Sequence, residues 1–385
     1  MNNNTIRVFE AFAGYGSQSI ALQRLSADRP SFQYEVVGIS EIDKNAISAY
    51  RAIHGESAPN FGDIMYIDWS QVPCFDLLTY SFPCQDISSA GRQRGFSQGS
   101  GTRSSLLWAC VDAIAAKHPK YLLMENVKAI TQKKFAKDFY KWREWLSDQG
   151  YTNYFQILNA KNYGVPQNRE RVFMVSVLGE HQRFFFPNTI PLEHRLKDII
   201  EDHVDESYYL KPQQVESIIN NCKRKVQKDC MALEPLFLGY TRDHKGKVVS
   251  HNLKNVSNTI VASNHGRNGA TAQYIVEPMI YSRPHGYNIG RCNILAPTVT
   301  ASAYTDNNFV IRDFRIRRLT PRECFRLMDV SDSDIDKIQS AGISKTQQFK
   351  LAGNSIVVSC LYHIFRKMFI DLSNEQPGYV QLSLF

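Results

Sequence analysis

The sequence predicts an α/β fold: a parallel sheet covered on both faces, joined to a smaller β-rich region. Two observations predict it. From about residue 5 to about 180, short β-branched and aromatic runs alternate with helical patterns. From about 181 to 312 the helical periodicity fades and Asn, Gly, Thr, His and Arg become common, before regular patterns return from about 313. With 385 residues, 43% hydrophobic and 21% charged, the chain has an ordinary globular composition and room for one large and one smaller domain. The expected units are 1–180, 181–312, and 313–385, the last returning to the first.

Each element has a local reason. Ile6–Phe12, Tyr34–Ile39, Phe75–Tyr80, Tyr121–Met124 and Val172–Val177 are apolar runs of strand length. Ser17–Leu25, Lys44–His54, Ser104–Ala116 and Phe135–Gln149 carry the helical period between them. Thr320-Pro-Arg-Glu323 reads as a helix start running to about Met328, with Thr320 as cap, Pro321 in the first turn and Glu323 completing a capping box. Gly353-Asn354-Ser355 reads as a loop and cap before the apolar helix Ile356–Phe369, and a tail follows from about Ser373.

Composition excludes several classes. Met1–Arg7 is polar with no apolar core, so no signal peptide is expected. No apolar run approaches the roughly 18 residues of a membrane helix. The eight cysteines (Cys74, Cys84, Cys110, Cys222, Cys230, Cys292, Cys324 and Cys360) form no CxxC pair, which points to free thiols in a reducing cytoplasm rather than zinc or disulfides. The formal charge of +8 suits an anionic partner such as nucleic acid, and equally a merely basic protein.

Four motifs carry chemistry. Phe12-Ala-Gly-Tyr-Gly-Ser-Gln18 follows the first strand and opens a helix, where glycines let the backbone approach a ligand. A dinucleotide fingerprint would need glycine where Ser19 stands, so a nicotinamide enzyme is disfavoured. Glu41, ending the second strand, can accept from ribose hydroxyls, and the pair of features indicates a nucleoside cofactor. Ser81-Phe-Pro-Cys-Gln85 places Cys84 at a strand end with Arg92 and Arg94 nearby, and the Ser-, Gly- and Arg-rich stretch 88–101 suits a closing loop. Glu125-Asn-Val127 puts a carboxyl where a dry pocket can hold it protonated, and Gln167-Asn-Arg-Glu-Arg171 spaces two arginines on alternate positions of an extended chain. Singly, each has a bland alternative: a buried thiol, a helix cap, a solvated edge.

In this order the motifs resemble those of the cytosine-C5 DNA methyltransferases of bacterial or phage restriction–modification type. The resemblance rests on Pro83-Cys84-Gln85, Glu125-Asn126-Val127, Gln167 to Arg171, Leu319-Thr-Pro-Arg-Glu-Cys324 and Gly353-Asn354-Ser355, supported by Phe12-Ala-Gly14 and Gly62-Asp-Ile64. It implies a Rossmann-like S-adenosylmethionine-dependent methyltransferase domain with a target-recognition domain, and S-adenosylhomocysteine as product without a metal. It also implies base flipping, because the target atoms are hidden in stacked duplex. By the resemblance, Cys84 attacks cytosine C6 and Glu125 serves N3, while Arg171 with Arg169 holds O2 and the catalytic groups. The cofactor would meet Phe12, Gly14, Gly16, Glu41 (ribose), Ile42 (adenine), Asp63 (adenine amino group), Ile64, Pro83, Leu106, Asn354, Ser355 and Ile356. Two departures stand out: Gln18 where many relatives have an aromatic residue stacked on adenine, and Ser17 in place of a common glycine.

The middle region would read DNA. Thr298-Val-Thr-Ala-Ser302 resembles the family's Thr-rich strand, so Thr298, Thr300, Ser302 and Tyr304 are candidate contacts, together with Ser88, Arg92 and Arg94 on the loop. The scattered Lys and Arg suit phosphate, which positions without specifying. Ser257–Ser263 with Gln273–Val276, and Ala296–Ser302 with Asn308–Ile311, form a weak internal repeat or two similar hairpins. The expected partner is double-stranded DNA, bound by a cytoplasmic monomer, with any cognate restriction endonuclease a separate protein. The alternatives are an RNA cytosine methyltransferase and a non-catalytic DNA binder of the same fold.

Overall fold

The computed structural model describes residues 5–83, 87, 95–97, 99, 101, 103–194, 198–209 and 315–371, with short strands at 240–242, 248–250, 279–281, 292–293, 296–297 and 309–312. Its centre is a six-stranded sheet built from β1 (Thr5–Ala11), β2 (Gln33–Ser40), β3 (Leu77–Tyr80), β4 (Tyr121–Val127), β5 (Tyr151–Asn159) and β7 (Glu170–Leu178), with the two-residue β6 (Gln167–Asn168) before the last. The strand order is β2-β1-β3-β4-β7-β5. The β1–β2, β1–β3 and β3–β4 pairs are parallel, as expected, but β7 runs antiparallel to both β4 and β5. The sheet is therefore mixed. The physical reason lies in the connection: residues 160–169, which hold a 3-10 turn and β6 between β5 and β7, fall short of the roughly dozen residues a parallel crossover needs, whereas β1–β2 and β3–β4 are joined by longer crossovers that carry helices.

Neighbouring residues on each central strand face opposite sides of the sheet. Val8, Leu77 and Leu123 enter one core, and Phe9, Leu78 and Leu122 enter the other. The first core is covered by α1 (Ser17–Asp28), α2 (Lys44–His54) and the C-terminal helices, the second by α3 (Cys110–Lys117) and α4 (Ala136–Asp148). Leu78 is fully buried, so Leu78→Ala would cost about 2–5 kcal/mol.

The C-terminal segment folds back as α5 (Pro321–Arg326), α6 (Asp332–Ser340), α7 (Lys345–Asn354) and α8 (Val358–Phe369). Phe369 of α8 stacks on Phe32 at 5.4 Å. The capping box at Thr320 and Glu323 forms as expected. Glu323, fully buried, also pairs with Arg317 at 2.7 Å and accepts from the backbone of Glu201 at 2.8 Å. One carboxylate thus ties the segment entering the middle region to the segment leaving it.

Several boundaries differ from expectation. β4 continues to Val127, because β7 keeps pairing with it as far as Arg171. The expected helix 104–116 begins as a 3-10 turn, Arg103–Ala109, before α3. Gly353-Asn354 is the last turn of a helix rather than a loop, since Ser344 caps α7 by accepting from Gln347. The short strands of the middle region are β8 (Tyr240–Arg242), β9 (Val248–Ser250), β10 (Met279–Tyr281), β11 (Cys292–Asn293), β12 (Ala296–Pro297), β13 (Phe309–Arg312) and β14 (Arg315–Arg318). They form a sheet β11-β10-β13-β14, a β8-β9 pair, and a β12 pairing with β6 at Ala296 and Gln167. The expected boundary at 312/313 falls inside the β13–β14 hairpin. Of the repeat, only 296–297 and 309–311 are described. No helix among the described residues is long and apolar enough to cross a membrane.

Candidate active site

At the carboxyl ends of β1 and β2 the chain makes a tight cradle. Phe12, Gly14 and Gly16 all have positive φ, at 58°, 61° and 83°. A side chain at Gly14 would meet no atom within 4 Å, so the turn opens onto free space. At Gly16 the reason for glycine is crowding as well as φ: a Cβ would lie 2.4 Å from His54 Nε2 and 2.7 Å from the Tyr50 ring. Gly14 N–H donates to Glu41 Oε2 at 2.9 Å, while Glu41 Oε1 accepts from the backbones of Ile42 and Asp43, both at 2.8 Å. A carboxylate offers about four acceptor positions, so these three bonds orient Glu41 and leave it able to take a hydroxyl. Beside it, Ile42 is 66% exposed, an apolar side chain left open to solvent.

Asn60 organises the next wall. Its Oδ1 accepts from the Glu41 and Gly62 backbones at 3.1 and 3.0 Å, and its Nδ2 donates to the Glu41 carbonyl at 3.0 Å. This bond set fixes Asp63 relative to Glu41. Asp63 caps the 3-10 turn that follows by accepting from Met65 N–H at 3.0 Å. Ile64 is buried in the α3–α4 core and supports the wall from beneath. Gln18, where an aromatic residue was expected to matter, is buried in the first turn of α1 and presents no open face.

The other half of the site lies where β4 meets β7. Glu125, 8% exposed, forms an ion pair with Arg171, Oε1 to Nε at 3.2 Å. Burial pushes the Glu125 carboxyl above the ordinary range, and the charges of Arg171 and Arg169 pull against that shift. Arg169 is buried too, and its guanidinium donates to the carbonyls of Gly353 and Ser355 at 3.2 and 2.6 Å. The two arginines therefore do different things: Arg171 meets the carboxyl, and Arg169 ties the β6–β7 segment to the end of α7. Gln167 anchors the same segment on α5 by donating to the Leu327 carbonyl at 2.5 Å.

Asn126 connects this half to the turn leading into Cys84. Its Nδ2 donates to the Phe82 carbonyl at 2.9 Å, and Ser104 Oγ donates to the Pro83 carbonyl at 2.6 Å. Tyr15 links the two halves from below: its hydroxyl donates to Ser355 Oγ at 2.7 Å, and Ser355 in turn donates to the Ala352 carbonyl at 2.8 Å. Ile356 is buried beneath, whereas Leu106 is partly exposed and Asn354 exposed. Cys84, Ser88, Arg92, Arg94, Thr298, Thr300, Ser302 and Tyr304 lie outside the described residues.

Sequence reasoning passed over Asn60, Ser104 and the bridging role of Tyr15. An Asn two residues before Gly62-Asp63 was the one available signal for the first. Among the described residues no group of three or more His, Cys, Asp or Glu is placed to hold a metal.

Comparison with known proteins gives a consistent result. The profile of the family described as C-5 cytosine-specific DNA methylase matches residues 6–370. The chain is 34% identical to the type II methyltransferase M2.ScrFI of Lactococcus lactis subsp. cremoris, over 94% of this chain and 99% of that one. It is 29% identical to the orphan methyltransferase M.SPRI of Bacillus phage SPR, over 96% and 99%. Among solved structures, the S. pombe Dnmt2 methyltransferase shares the fold with a TM-score of 0.57 at 18% identity, covering 96% of this chain and 100% of that chain. The Entamoeba histolytica methyltransferase EhMeth does so with a TM-score of 0.59 at 17% identity, covering 96% and 99%.

Proposed function

The chain belongs to the C-5 cytosine-specific DNA methylases and methylates cytosine in DNA, and from that premise we propose how its own residues divide the work. Membership implies S-adenosylmethionine as methyl donor. The residues fit such a group: an open positive-φ turn at Gly14, an oriented carboxylate at Glu41, and an exposed apolar side chain at Ile42. In this reading Phe12, Gly14 and Gly16 receive the methionine part, Glu41 the ribose, and Ile42 and Asp63 the adenine. Ile64, Pro83, Leu106, Asn354, Ser355 and Ile356 close the pocket. When bound, the cofactor supplies an electrophilic methyl group.

The observation that carries the catalytic assignment is the buried Glu125–Arg171 pair beside the turn that leads into Cys84. Cytosine C6 is a poor electrophile. The Cys84 thiolate attacks it, forming a C–S bond, while the Glu125 carboxyl donates to N3 so that charge does not accumulate on the ring. Arg171 holds O2 and keeps Glu125 in place. C5, now enamine-like, takes the methyl group; loss of the C5 proton to a base then expels Cys84 and restores the ring. The upward shift that burial gives the Glu125 carboxyl runs in the direction a general acid needs.

We assign 1–180 and 313–385 to catalysis and 181–312 to target recognition, with Thr298, Thr300, Ser302 and Tyr304, and Ser88, Arg92 and Arg94, meeting double-stranded DNA. The protein acts as a cytoplasmic monomer without a metal, and any cognate restriction endonuclease is a separate chain. Bisulfite sequencing of a mixed-sequence duplex, incubated with protein and S-adenosylmethionine, tests the assignment. Protected cytosines in one short context are expected with the wild type and none with Cys84→Ala; protection surviving in Cys84→Ala removes the cysteine mechanism.

A further inference from the structure

Beneath the cofactor turn lies a buried acid that the reaction does not use. Glu10, the penultimate residue of β1, is fully buried. Its Oε1 accepts from Ser19 Oγ at 2.9 Å, and Ser19 Oγ lies 3.2 Å from the Tyr50 hydroxyl. Among the described residues its Oε2 has no hydrogen-bond partner. Ser19 sits in the first turn of α1, the helix that Gly16 starts, and Tyr50 belongs to α2, the helix that follows Glu41-Ile42-Asp43. Tyr50 packs on His54 with ring centroids 4.5 Å apart, and neutral His54 donates from Nε2 to the Tyr15 carbonyl at 3.2 Å. Burial holds His54 down to about 4, so it carries no charge near neutral pH. A chain of contacts therefore runs from Glu10 through Ser19 and Tyr50 by hydrogen bonds, across the Tyr50–His54 ring packing, and by the His54–Tyr15 hydrogen bond back to the glycine turn.

We infer that Glu10 is a positioning residue for the cofactor site: it sets the first turn of α1 against α2, and so the spacing between the Gly14–Gly16 turn and Glu41. The inference rests on the assignment of that turn to the cofactor.

The site favours the protonated acid. Glu10 is faced by Ser19 from α1, Tyr50 from α2, Tyr34 from β2 and Thr79, its register partner, from β3. None of these is a cation. Burial raises the carboxyl to about 7, with the hydrogen bonds of Ser19 and Tyr50 opposing. Above that pH an uncompensated carboxylate sits in a dry site, and the relief available is to part α1 from α2 and admit water. Cofactor affinity then falls as pH rises through about 7, approaching tenfold per pH unit.

The test is calorimetric titration of the full chain with S-adenosylhomocysteine between about pH 6 and about pH 8.5, a window spanning the expected ionisation. The ligand's own amine titrates alike in every protein, so the ratio of variant to wild-type affinity is read. Glu10→Gln, a neutral isostere, should bind progressively better than wild type as pH rises; a ratio that stays constant with pH overturns the inference. Ser19→Ala and Tyr50→Phe, milder changes for the case in which Glu10→Gln fails to fold, should weaken binding about fivefold, and unchanged affinity in both overturns it equally. Glu41→Ala separates the two layers. If Glu41→Ala binds as wild type, the cofactor assignment fails and this inference with it. If Glu41→Ala binds weakly while the Glu10→Gln ratio is flat, the inference alone fails.

Discussion

The two halves of the crevice are built on different physics. At the ends of β1 and β2, polar groups are fixed by the main chain: Glu41 is held by three backbone N–H groups and faces an open turn. Between β4 and β7, Glu125 is held by an opposite charge in a nearly closed place. The first arrangement keeps a carboxylate ready to accept, which suits recognition. The second sets burial, which raises the carboxyl, against the neighbouring positive charges, which lower it, and that suits proton traffic. Changes on one side should therefore read out in affinity and changes on the other in turnover.

The largest expected effect is on the charged side. Glu125→Gln should slow single-turnover methylation by about 10²–10⁴ while leaving the dissociation constant for S-adenosylmethionine within about twofold, an amount below typical hydrogen-bond effects; a parallel loss of affinity would erase the division between the halves. Glu41→Ala should do the reverse. Its cofactor dissociation constant should rise about 10–100-fold, the worth of hydrogen bonds to a charged group, with kcat recovering when cofactor is saturating.

Arg171→Met sharpens the contrast through pH. Burial raises Glu125 and Arg171 opposes the rise, so without the arginine the carboxyl should keep its proton to higher pH. A raised carboxyl loses stability as pH climbs from the unfolded value to the folded one. The stability gap between Arg171→Met and wild type, followed by urea unfolding, should therefore widen from acid to neutral pH. A constant gap would mean that the arginine does not govern the carboxyl. The smallest effect is expected at the seam: Tyr15→Phe removes one hydrogen bond and should change both cofactor affinity and turnover by about two- to fivefold, in steady-state assays varying each substrate.

The parallel part of the sheet was legible because Val8, Leu78, Leu122 and their neighbours are apolar on both faces, and such strands stand out from their helices. β5 was not, since Thr152, Asn153 and Gln156 interrupt its apolar residues, as befits a strand at the edge of the sheet. Helix α6 escaped for a similar reason: it is short, and Ile335 and Ile338 are its only two buried residues. In the site, Glu41 and Glu125 were legible from the strands they end or extend. The partition of Arg169 from Arg171 was not, because the carbonyls that claim Arg169 lie more than 180 residues away. No local pattern announces such a partner.

The Tyr15–Ser355 bond joins residues 340 positions apart, and that span sets an order on synthesis. The glycine turn leaves the ribosome early, yet the floor linking it to Arg169 waits for Ser355. At about 5–20 residues per second, the nascent chain carries an unfinished cofactor pocket for most of its translation. Chains abandoned before α7 should therefore lack the seam, and methylating competence should arrive only as the C-terminal helices do.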